Sequence, residues 1–212
     1  MLKKNNIILY SFIVSLSALS FYLAKDKTYK AISTTKVTDF EAEHQDAFVK
    51  DSVASVKAFQ KVYKVLMSPR CLNCHPSGDV PLQGDDSHIH AMLPKRGADG
   101  KGLYAMKCTN CHQPNNSEGV HTPPGHENWH LPPADMKMVF QGRTAHQLAK
   151  QLIDPKQNGN KDIKKLIEHA DDGLVMKGWD MGEGRTKPPM SHAEFKEAWI
   201  TWMKTGAYAP KP

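Results

Sequence analysis

Cys71-Leu72-Asn73-Cys74-His75 and Cys108-Thr109-Asn110-Cys111-His112 take up all four cysteines of this 212-residue chain. Each is a Cys-x-x-Cys-His, the spacing at which c-type haem is attached. Two thiols so placed form thioethers with the haem vinyl groups, and the adjoining imidazole reaches the iron as an axial ligand. A single Cys-x-x-Cys would also suit a redox dithiol or half of a zinc site. Two copies, each followed directly by histidine and with no cysteine left over, point instead to two haems. A four-cysteine zinc or disulfide module would leave His75 and His112 without a purpose.

Those two histidines are the expected proximal ligands, and the opposite faces of the irons need others. The chain has 11 histidines and 10 methionines. A histidine outside a motif is more often a surface or hydrogen-bonding group than a ligand. His44, His146 and His192 are read as solvated, the last two because they sit inside helix-capping sequences. His121 and His126 lie in a proline-rich stretch that gives no positional argument. His88 and His90 follow His75 in a loop long enough to fold back over the first haem, and spacing does not choose between them. His169 borders the apolar stripe of a short helix, where a bland role at a helix C-terminus also fits. Met136 and Met138 come after Pro132-Pro133 and Met190 after Pro188-Pro189. Proline-rich loops present a methionine ligand in many cytochromes c, while the plain alternative for each is core filling.

The elements that must position these groups read as helices and loops, so the expected fold class is all-α. Thr38-Asp39-Phe40-Glu41 has the form of a capping box. A helix is expected from there to about Met67, with Phe48, Val56, Phe59, Tyr63 and Leu66 on one stripe. Ser68-Pro69 ends it just before the first motif. Gly102 to Lys107 is expected to form a short helix delivering Cys108. Residues 113–135 are rich in proline, a length of loop that makes sense in a small domain if it wraps something. Thr144-Ala145-His146-Gln147 and Ser191-His192-Ala193-Glu194 are further capping boxes, and Asp162 can cap a helix between them. Asp154-Pro155 and Gly206 are the expected stops. No convincing strand is seen. The short link between the motifs favours one compact unit with its haems close together, spanning residues 38–212 behind a polar tether at 25–37.

Residues 1–24 carry Lys3 and Lys4 ahead of an apolar run from Ile7 to Ala24. That is the pattern of an export signal, and its length is marginal against the roughly 20 residues a membrane anchor needs. Either outcome places the remainder in the periplasm or on the outer face of the inner membrane. The formal charge is +6, partly from those two lysines. No basic cluster interleaved with aromatics appears, which argues against nucleic acid as a partner.

From about Pro69 to Pro210 the chain resembles a family of exported dihaem cytochromes often labelled as an isoquinoline 1-oxidoreductase subunit. The likeness is carried by the two haem motifs, Leu82-Gln83-Gly84-Asp85-Asp86 with His90, and Arg96-Gly97-x-x-Gly100-x-Gly102. It continues through Trp129-x-Leu131-Pro132-Pro133, Met136-x-Met138-Val139-Phe140, Gln151-Leu152-x-Asp154-Pro155, His169, Gly178-Trp179 and Gly182-x-Gly184-Arg185-Thr186. The resemblance implies a cytochrome c-like arrangement of helices and long loops around two covalently bound haems. It implies an electron carrier whose partner is a dehydrogenase, another cytochrome or a copper protein. It also raises His90 and His169 as distal ligands. The expected pairing is His90 with the first haem and His169 with the second, Met138 or Met136 being the alternative at the second. A dihaem enzyme such as a peroxidase is the other function considered, with histidines beside an open iron face as its acid–base groups.

Overall fold

The structure, a computed structural model, describes residues 50–212. The export or anchor segment, the tether, the Thr38 capping box and His44 lie outside the described residues. The described part is mostly helical. Its helices are α1 (Ser52–Leu66), α2 (Pro69–Leu72), α3 (Ala145–Ile153), α4 (Ile163–His169), α5 (Gly173–Met176) and α6 (His192–Lys204).

α1 begins at Ser52. Residues 50 and 51 are not helical, so the expected unbroken helix from the Thr38 box is interrupted there. The physical reason is Asp51, whose extended backbone (φ −134°, ψ 97°) and carboxylate form an N-cap. That carboxylate accepts from the amides of Val53 at 3.0 Å and Ala54 at 2.9 Å, two donors that a helix start otherwise leaves without partners. Asp51→Ala should cost about 1 kcal/mol, read as a lower denaturant midpoint with an unaltered unfolding slope.

The capping boxes at Thr144–Gln147 and Ser191–Glu194 form with both reciprocal bonds, and Asp162 caps α4. Burial follows their apolar stripes. Phe59, Val62, Val65 and Leu66 of α1 meet Phe195, Trp199, Trp202 and Met203 of α6, with Leu148 and Leu152 of α3 and Leu166 of α4 closing the same core. Polar groups lock the main pair in register. The Asp51 amide donates to Thr205 O at 3.0 Å, and Ser55 Oγ donates to Trp202 O while accepting from the Tyr208 amide. The Trp199 indole donates to Leu166 O at 2.7 Å, tying α4 to α6.

Two hairpins depart from the helix-only expectation. β1 (Leu82–Gln83) pairs with β2 (His88–Ile89), and β3 (Gly102–Leu103) pairs with β4 (Met106–Lys107), both antiparallel. The second replaces the short helix expected before Cys108. Its turn needs backbone that a helix cannot supply. Gly102 has φ +90°, and a side chain there would meet Met106 O at 2.3 Å, while Tyr104 also takes a positive φ of 50°.

Candidate functional site

The first motif is set by the end of α1. Ser68 turns the chain out of the helix and Pro69 starts the single turn of α2, a position where its missing N–H costs nothing. Cys71 and Leu72 hydrogen-bond back to Ser68 O, Cys74 to Cys71 O and His75 to Leu72 O. This tight winding brings both thiols and the imidazole to one place. The amides of Phe140 and Gln141 then clasp His75 O at 2.9 and 3.3 Å. The imidazole Nδ1–H donates to Met138 O at 2.7 Å, and the ring lies parallel to Phe140 at 3.8 Å and 9°.

The second motif repeats this arrangement with different neighbours. β4 leads into a 3-10 turn over Cys108–Asn110, and His112 hydrogen-bonds back to Cys108 O. Its Nδ1–H donates to Pro124 O at 2.7 Å, and its ring lies parallel to Trp129 at 4.1 Å and 5°. The Pro124 carbonyl is brought there by Gly125, whose amide bonds to Asn116 Oδ1 and where a Cβ would meet Asn115 O at 1.9 Å.

The chemical meaning of the pair lies in the tautomer. A neutral imidazole that donates through Nδ1 keeps its lone pair on Nε2, the state in which it ligates a metal. Burial pushes the His75 pKa down to about 4, so the ring is neutral at pH 7. Burial lowers His112 as well, with the Pro124 bond opposing it. The thiols are protonated too: burial pushes Cys71 up to about 12 and Cys74 to about 11, and raises Cys108. All four cysteines are free, and no three His, Cys, Asp or Glu side chains among the described residues gather as a metal-ion cage. Covalent haem attachment needs no such cage, since it asks for two thiols and one imidazole per group.

Cys71, Cys74 and His75 open onto a cavity of about 470 Å³, within the usual range for cofactor sites. Leu66, Leu152, Leu166, Phe195 and Trp199 supply apolar wall from the helical core. His126, Trp129, His130 and Met136 come from the proline-rich loop and its sequel, and His169 comes from the end of α4.

This placement alters the expected pairing. His169 shares the first motif's cavity and is near enough for its charge to depress His75. Its Nδ1 pairs with the Asp172 carboxylate, which again leaves Nε2 free. The cause is packing at long range: Trp199 holds Leu166 and His192 Nε2 bonds to Ala170 O at 2.8 Å, so α4 is fastened to the core that carries Cys71. His90 goes the other way. The β1–β2 hairpin brings it within electrostatic reach of His112. Met136 and Met138 also line the first cavity. Met138 is moreover on the proximal side, since its carbonyl holds His75 and its Sδ accepts from Gln151 Nε2 at 3.2 Å.

His146 and His192, read as solvated from the sequence, are partly buried structural groups. His146 Nδ1 pairs with Pro210 O at 2.7 Å, and His192 lies against the edge of Trp179. His88 is exposed and pairs with Asp86. Sequence reasoning also passed over two arginines. Arg96 is 1% exposed and Arg70 is 7% exposed. Arg96 donates to Pro132 O and Gly78 O, and Arg70 to Gly84 O and Asp85. Each retains a buried Nε–H without a hydrogen-bond partner. Arg70 lines the first cavity, and both guanidinium charges act on Cys74. The only advance signal for either was the Arg96-Gly97 pattern.

Comparison with known proteins finds no matching family model, no matching curated protein and no matching solved structure.

Proposed function

We propose that this chain is a dihaem c-type cytochrome that carries electrons in the cell envelope. The observation that supports it most is the doubling: two Cys-x-x-Cys-His motifs, each with its histidine Nδ1–H given to a backbone carbonyl and its ring stacked on an aromatic. Cys71 and Cys74 hold one haem, and Cys108 and Cys111 the other. In each attachment the thiol sulfur bonds to a vinyl carbon and the thiol proton passes to the remaining carbon. His75 and His112 are the proximal ligands through Nε2. His169 is the sixth ligand on the first haem and His90 on the second. Bound haem supplies one-electron chemistry at its iron. The residues fit the group on their own terms: the cavity walls are apolar, and the Nε–H of Arg70, which lines the cavity and has no hydrogen-bond partner, suits a buried carboxylate.

With a histidine on each side of the four porphyrin nitrogens, neither iron would keep a vacant position for peroxide or oxygen, and electron transfer needs none. The partner is a redox protein, either a dehydrogenase, as the family resemblance implies, or another cytochrome or copper protein. Residues 1–24 direct export and are cleaved or kept as an anchor. A dihaem peroxidase is the second reading, favoured by His126 and His130 on the first cavity. Denaturing mass spectrometry of the exported protein should give the processed or full chain plus two haem masses. Haem that extracts into acidified organic solvent would refute the attachment. Rapid, saturable peroxide reduction with a high-spin resting spectrum would select the peroxidase.

A further inference from the structure

Trp129 belongs to both motifs at once. One face of its indole stacks on the His112 ring at 4.1 Å and 5°, while the same residue lines the cavity onto which Cys71, Cys74 and His75 open. Its segment is pinned from the second motif's side. The Leu131 amide donates to Gly100 O at 3.0 Å, and the Cys108 thiol lies 3.8 Å from that same carbonyl. The approach is so close that a Cβ on Gly100 would sit 1.9 Å from Leu131 O. A phenylalanine stacks on His75, so a ring on the proximal imidazole is common to both motifs. At His112 the stacking ring also forms wall for the other motif's cavity.

We propose that Trp129 is the bridge through which an electron passes between the two centres. This rests on the dihaem reading above. One electron leaves a ferrous iron at one motif and reduces a ferric iron at the other. The indole carries the coupling through its π system and its stack on His112, ends the step unchanged, and exchanges no proton. Trp129 therefore acts through His112 and the cavity wall, with no bond to either iron.

The test uses the exported, haem-loaded full chain and the variants Trp129→Leu and Trp129→Phe. Denaturing mass spectrometry first counts the haems; a native protein without two covalent haems defeats the dihaem reading itself, separately from the role of Trp129. One centre is then photoreduced by a flash and the redistribution of the electron is followed by absorbance. Trp129→Leu should slow that step at least tenfold with two haems bound and unchanged spectra and midpoint potentials. Trp129→Phe keeps a ring on His112 and loses the reach of the second ring, so it should slow the step by less. A native rate in a fully loaded Leu variant overturns the proposal. So does a slowed rate that comes with shifted potentials or altered spectra, because that is the signature of a packing role. If the Leu variant loses haem, Trp129→Phe decides: a native rate overturns the bridge, and a slower one at unchanged potentials supports it.

Discussion

His169→Ala should convert one of the two haems from low to high spin, and His90→Ala should convert the other. The pairing is the sharper expectation. In a chain whose second motif has been disabled by Cys108→Ala and Cys111→Ala, His169→Ala should make the remaining haem wholly high spin. His90→Ala in that background should leave the spectrum as it was. His169 stands on the cavity wall with His75, and its Nδ1–H is committed to Asp172, so Nε2 is the free nitrogen. A carboxylate behind a ligating imidazole fixes the ring and raises its donor strength. His90 is less well prepared, because its Nδ1 accepts from the Met92 amide at 3.3 Å. Ligation through Nε2 in the neutral ring requires that bond to be given up, at about 1 kcal/mol. Added cyanide should accordingly displace the sixth ligand of the second haem before that of the first. The reverse result in the disabled background, with His90→Ala giving the high-spin spectrum, would restore the pairing expected from the sequence.

The difference between the proposed pairing and the one expected from the sequence bears on what a sequence can convey and what it cannot. Signals that act within a few residues were legible. Thr144 with Gln147 and Ser191 with Glu194 form their capping boxes, Asp154 and Gly206 end their helices, and Asp162 caps α4. Each of these is a local contest among backbone donors, decided by residues already adjacent in the chain. His75 and His112 were legible as ligand candidates because the motif holds thiols and imidazole together. Which distal histidine goes with which motif is a different kind of question. It depends on α4 docking against Trp199 of α6 and on the β1–β2 hairpin folding towards His112, and neither contact leaves a local trace. Spacing suggested that His88 or His90 folds back over the nearer motif without choosing between them, and the resemblance pointed to His90. The hairpins were missed because two-residue strands are too short to show a period of two. Asp51 was missed as a cap because the stronger-looking Thr38 box drew the helix start upstream. Arg70 and Arg96 were passed over because arginine is almost never fully buried unless paired. Their burial follows from carbonyls of Gly84, Gly78 and Pro132 that converge only in the fold.

The largest effect on stability is expected from Trp202→Ala. Trp202 is 0% exposed and sits where α1 and α6 meet. Its ring lies 4.5 Å from Phe59 at 49° and 5.4 Å from Trp199 at 63°, edge to face, and its indole N–H donates to Tyr208 O at 3.1 Å. Truncating a buried tryptophan to alanine removes its transfer free energy and leaves a void, together about 3–5 kcal/mol. A domain of this size has a net stability of only about 5–15 kcal/mol, so much of the margin goes. The loss also reaches the site, because Phe195 and Trp199 on the same helix are wall of the cavity onto which the first motif opens. Trp202→Ala should therefore lower the guanidinium midpoint steeply and reduce the yield of chain carrying the first haem more than that carrying the second. Trp202→Phe keeps a ring against Phe59 and gives up the bond to Tyr208, so it should cost less than the alanine variant, with about 1 kcal/mol of its loss from the hydrogen bond. A midpoint for the alanine variant indistinguishable from the native one would mean that the α1–α6 contact is not what holds the cavity wall in place. Unequal loss of the two haems, first motif before second, is the outcome that links this core to the site it supports.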